Sequence, residues 1–135
     1  MGNTLRGDDG AGHWVCDAIE KAGLTGVTTL KVHQLQTELI QEMAEYDKIV
    51  IVDAAVGVSD VSIQKVEAIA SGMASSHHTD TGILKLLARQ LYKKDLDIHT
   101  CAIPAKDFSH SEQISGDTKS FADVAVKAIE DWINL

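Results

Sequence analysis

At 135 residues the chain is sized for one domain around one core, and with aromatics at only 4% that core must be mostly Ile, Val, Leu and Ala. A net charge of −8 argues against nucleic acid or an anionic membrane as the main partner. No apolar stretch approaches the ~20 residues that span a bilayer, and no signal-peptide pattern opens the chain, so membrane insertion is not expected.

Residues 10–22 place Ala11, Val15, Ala18, Ile19 and Ala22 on one face of a helix, which Gly23 and Gly26 end. Residues 27–33 predict a strand. Thr37 is set to cap a short helix that buries Leu39, Ile40 and Met43. Four consecutive β-branched residues, Ile49, Val50, Ile51 and Val52, predict a strand buried on both faces and closed by Asp53. Residues 61–68 alternate as an edge strand. Residues 71–80 are small and polar, a loop ending in Ser75-Ser76-His77-His78. Thr79 or Asp80 then caps a helix to about Tyr92 that buries Ile83, Leu84, Leu87 and Leu91. Ile98 to Ile103 predicts another strand, stopped by Pro104, and residues 105–117 a loop. The last helix has the cleanest period, through Phe121, Val124, Ala125, Ala128, Ile129 and Trp132. Strands alternating with helices predict a single three-layer α/β/α domain over residues 1–135, with a mostly parallel twisted sheet.

Ligands of such sheets sit outside the carboxyl ends of the strands, so Asp53 is placed either for chemistry or for plain solvation. The glycine-rich opening, residues 2–12, predicts a tight loop before the first helix. It is neither GxGxxG nor GxxxxGK[ST], and Asp8 and Asp9 would repel a phosphate from that helix start. One acid of the pair suffices as an N-cap, which leaves the second for something else. A histidine such as His77 or His78, taken alone, reads as a surface residue or a cap-side hydrogen-bonder. Convergence of the opening loop, the end of the Asp53 strand and the His77-His78 loop would change that reading. An Asp, an Asp and a His form an O,O,N set suited to a borderline divalent ion. Two carboxylates in one small site repel unless a cation intervenes, so metal binding would also release a proton. His13, His33, His99 and His110 fit this set less well. Cys16 and Cys101 form no CxxC pair and read as small buried residues in a reducing compartment.

These segments resemble the [NiFe]-hydrogenase maturation endopeptidases. The likeness covers nearly the whole chain and is carried by GNTLRGDDGAG (residues 2–12), VIVDA (50–54) and SSHHTDTGILKLLA (75–88). Residues 32–39 and 104–108, the latter leading to Ile114-Ser115, add support. The resemblance implies a cytoplasmic protease that removes a short C-terminal extension from the hydrogenase large-subunit precursor after nickel insertion. The family's metal-contacting residues fall on Asp9, Asp53 and His77, with His78 as the neighbouring alternative. No permanently bound metal is implied: the nickel recognised belongs to the substrate, and other divalent ions such as Cd or Zn can substitute.

Relatives carry an apolar strand before the Gly-Asn, where here only Met1 stands. The resemblance therefore implies a missing first strand, a loosely held Asp9 loop and an unpaired sheet edge open to self-association. Thr81 stands where relatives often have proline, a tolerated change. Two other readings compete. One is a non-catalytic protein on the same fold that binds the metal-loaded precursor without cutting it. The other, a flavodoxin-like nucleotide binder, lacks both a free glycine-rich loop and a basic cluster.

Overall fold

The computed structural model of the protein describes residues 1–68, 76–109 and 111–135, with the backbone alone for residues 76–80. It is an α/β fold. Among the described residues the strands β1 (Ile49–Ala55), β2 (Ser62–Lys65) and β3 (Ile98–Pro104) form one sheet in the order β1-β3-β2. The helices are α1 (Ala11–Ala22), α2 (Leu39–Met43), α3 (Ser76–Tyr92) and α4 (Gly116–Ile133). Ile49 N–H donates to Asp97 O, and further along Ala105 N–H donates to Ala55 O, so β1 and β3 run parallel. β2 takes an edge, as its alternation predicts, and makes the sheet mixed. No helix among the described residues is long and apolar enough to cross a membrane.

The chain divides into two compact units. The first comprises Met1–Gln34, Val52–Ile63 and Cys101–Leu135. Here α1 buries Ala11, Gly12, Val15 and Ile19 and ends at Gly23, which takes the left-handed conformation. α1 packs against α4. The buried face of α4 is Thr118, Ala122, Ala125 and Ile129, while Val124, expected on it, is 55% exposed. Two helices approach closely only where their facing side chains are small, so Ala122 takes the seam. Phe121, Ala128 and Trp132 are half-buried beside it.

Residues 27–33 do not form the expected strand. Gly2 N–H donates to Val32 O (3.2 Å) and the Met1 amino group to Val52 O (2.7 Å). Met1 and Gly2 thus reach β1 on one side and the 27–33 segment on the other, but one bond to each is too few for a ladder.

The second unit comprises Leu35–Ile51 and Gln64–Thr100. Its core is aliphatic: Ile40, Ile51, Val66, Leu84, Ala88, Leu96 and Ile98. α2 is as short as expected, but Glu38 holds its N-cap without a side-chain bond, and Thr37 contributes only its carbonyl, to Ile40 N–H. α3 begins at Ser76, so Thr79 and Asp80 lie inside the helix and do not cap it. Among its described residues the buried side chains are Thr81, Leu84, Lys85 and Ala88, one face at helical spacing. Lys85 is accommodated there because its Nζ donates to Val66 O (3.0 Å). Leu91 is 67% exposed, against expectation. The chain reverses at Lys93 (φ 54°), and Leu96 joins the core in its place.

Candidate active site

Gly2 has φ +135°, and a Cβ there would lie 2.0 Å from Asp9 O, so only glycine fits without displacing the Asp9 backbone. Asn3 Oδ1 accepts from Leu5 N–H (2.9 Å) and Asn3 O from Arg6 N–H (3.1 Å), which turns the chain back on itself. Gly7–Gly10 then form a 3-10 turn that carries both acids into α1.

Neither acid caps α1. Gly10 stands at its N-cap without a side-chain bond. Asp8 is fully buried, and its carboxylate accepts from Ser115 N–H (2.6 Å), Asp107 N–H (2.8 Å), Lys106 N–H (3.1 Å) and Ser115 Oγ–H (3.1 Å). Ser115 is the N-cap of α4, so one acid of the pair does serve a helix N-terminus, but a different one. Burial alone would raise the Asp8 pKa; the N–H groups of Ser115, Asp107 and Lys106 together outweigh it and hold the carboxyl at about 2.

The loop is not loosely held. Gly7 N–H donates to Ser111 O (2.8 Å), Asp8 N–H to Asp107 O (2.7 Å) and Ser111 N–H to Leu5 O (3.1 Å). Sequence reasoning missed this clasp because its donors and acceptors lie up to 107 residues from Asp8. The only signal was the doubled acid.

Asp9 is half-buried, and its Oδ2 accepts from Asn3 N–H (2.9 Å). Asp53 is buried and lies within β1, which continues past it to Ala55. A Cβ on Gly12 would come within 2.6 Å of Val52 O and 2.7 Å of Met1 N, so the first turn of α1 presses on β1 just before Asp53. Burial lowers the pKa of the Met1 amino group, while Asp53, Cys16 and Asp9 act to raise it.

The backbones of His77 and His78 belong to the first turn of α3, not to a loop before it. Their side chains lie outside the described residues, as does His110. Among the described residues no three His, Cys, Asp or Glu side chains gather as a metal-holding set. Of the remaining histidines, His13 Nε2 lies 3.0 Å from Val32 O and His99 Nδ1 lies 3.4 Å from Asp97 Oδ1. Cys101 is buried, and burial pushes its thiol up to about 12, whereas Cys16 is only half-buried.

No protein-family model and no curated protein sequence matches the chain. Among solved structures, the α/β fold is that of the hydrogenase maturation proteases. It is similar to the [NiFe] hydrogenase maturation protease HybD from Thermococcus kodakarensis, at 25% identity and a TM-score of 0.75, over 97% of this chain and 93% of that one. HybD from E. coli, a hydrogenase maturating endopeptidase, matches at 18% identity and a TM-score of 0.76, over 95% of this chain and 85% of that one. The protease HycI from Thermococcus kodakarensis matches at 20% identity and a TM-score of 0.70, over 99% and 88% of the two chains. The chain thus has the fold of the [NiFe] hydrogenase maturation proteases, which are peptidases.

Proposed function

We propose that this chain is a cytoplasmic endopeptidase that removes the C-terminal extension of a nickel-loaded [NiFe]-hydrogenase large-subunit precursor. The observation that carries the reading is that the first turn of α1, which follows the Asp9 turn directly, packs on β1 at Val52, the residue before Asp53. Two carboxylates carried on adjoining elements suit a divalent cation between them. Support comes from neighbours of the same fold whose names describe hydrogenase maturation proteases.

In this reading Asp9 and Asp53 meet the nickel of the substrate, and other divalent ions such as Cd or Zn take its place. His77 is the imidazole that the sequence resemblance assigns to the same ion, with His78 as the alternative. A carboxylate accepts a proton from a water, whose oxygen bonds to the scissile carbonyl carbon; the C–N bond then breaks, and the proton passes to the leaving amine. The substrate's nickel supplies the Lewis acidity for that carbonyl. The clasped opening loop favours cleavage over the competing non-catalytic binder, because a reacting group must be held in place to act.

The test is incubation with a nickel-loaded precursor followed by intact-mass measurement. Loss of the tail's mass supports the protease; a bound but uncut precursor assigns the binder. Asp9→Asn, Asp53→Asn and His77→Ala are each expected to leave the precursor uncut, and a fully active variant removes that residue from the site. Open backbone on β1 would show separately as concentration-dependent self-association in sedimentation.

A further inference from the structure

We infer that Asp8, the acid not assigned to the metal, is a positioning residue that aims Asp9 and couples it to Asp53. The inference rests on the protease reading of Asp9 and Asp53. Successive residues of a 3-10 turn project about 120° apart, since it has 3.0 residues per turn. Drawing the Asp8 carboxylate inward onto Lys106, Asp107 and Ser115 therefore settles where its neighbour points. Asp9 turns the other way, and its Oδ2 receives Asn3 N–H at 2.9 Å.

The same bonds run on to the second acid. Asp8 holds the Lys106 and Asp107 amides, the preceding residue Ala105 donates to Ala55 O (3.0 Å), and Ala55 lies in β1 with Asp53. From behind, Thr118 Oγ1 donates to Pro104 O (3.2 Å), tying this junction to the first turn of α4. A continuous hydrogen-bonded path, all within the first unit, thus joins the backbone of one metal-facing carboxylate to that of the other. A misplacement of about 1 Å at a reacting group can cost on the order of a hundredfold in rate, so this path bears on catalysis as well as on folding.

The experiment is Asp8→Asn in the full chain, with Asp8→Glu as the variant that keeps the charge should the first fail to fold. Two readouts are taken: amide hydrogen exchange, and kcat and KM for precursor processing. Asp8 does not touch the Asn3 amide, which reports the aim of Asp9. The Ile19 amide, inside α1 and buried in the same unit, reports opening of that unit as a whole. The expected result is Asn3 exchange at least tenfold faster relative to Ile19, with kcat down at least tenfold and KM within twofold. If Asn3 and Ile19 shift together, Asp8 is only a structural staple and the inference is overturned. If Asn3 opens selectively while Asp8→Asn and Asp9→Asn both process at the wild-type rate, the positioning stands and the protease reading of the site falls.

Discussion

The two compact units are held together by different physics. The second is built on aliphatic burial: Ile40, Ile98 and Val66 are closed to solvent and Leu84 nearly so. Such contacts are non-directional and tolerate exchange of one aliphatic residue for another. The first unit has an alanine-rich helix seam, but its opening loop is fastened by directional hydrogen bonds to a buried carboxylate. The acids proposed for catalysis belong to that first unit. Burial can stabilise a region without fixing a side chain to within a fraction of an ångström; a satisfied polar network does both.

The sharpest break in this contrast is functional. Asp53→Asn and Asp9→Asn are expected to lower precursor processing by about a hundredfold or more, since loss of general base catalysis costs ~10²–10⁴. Thermal unfolding measured alongside should move little, because neither change empties an aliphatic core. Ile98→Ala should do the reverse. Ile98 is fully buried, so truncation costs about 2–5 kcal/mol in denaturant unfolding, while the kcat of the folded fraction holds.

Acid sharpens the comparison further. The Asp8 carboxyl titrates near 3.8 in the unfolded chain and at about 2 in the native one. Its contribution, on the order of 2 kcal/mol, is therefore present in full well above pH 3.8 and lost as pH falls through about 2. Denaturation midpoints followed from pH 5 to pH 2 should fall less steeply in Asp8→Asn than in the wild type. A smaller effect tests the α4 seam: Ala122→Leu should cost about 1–3 kcal/mol by overpacking, and Val124→Ala no more than about 0.5 kcal/mol. The mildest readout is chemical. Cys16 should react with a thiol reagent in the native protein, and Cys101, buried with its thiol pushed up to about 12, only after unfolding.

Much of the fold was legible locally. The β-branched run around Val50 and the periods of α1, α3 and α4 state their elements with residues that lie close in sequence. The faces were read less well, because Val124 and Leu91 fit a helical period as well as the residues buried in their place. Which of two plausible stripes faces inward depends on the partner surface, and no local window contains it. The strand expected over residues 27–33 failed for a related reason, since a ladder requires a neighbour of matching length.

At the site, sequence alone determined which residues have the right chemistry: two adjacent acids in a glycine-rich turn, and an aspartate closing an apolar run. Glycine and carboxylate identities are local facts, and their turn and charge preferences travel with them. Only the tertiary structure decided what the first acid of the pair does. Asp8 faces the amides of Lys106, Asp107 and Ser115, and Asp9 the amide of Asn3. A carboxylate becomes a clasp or a reacting group according to the donors that reach it, and for Asp8 those donors come from the far end of the chain.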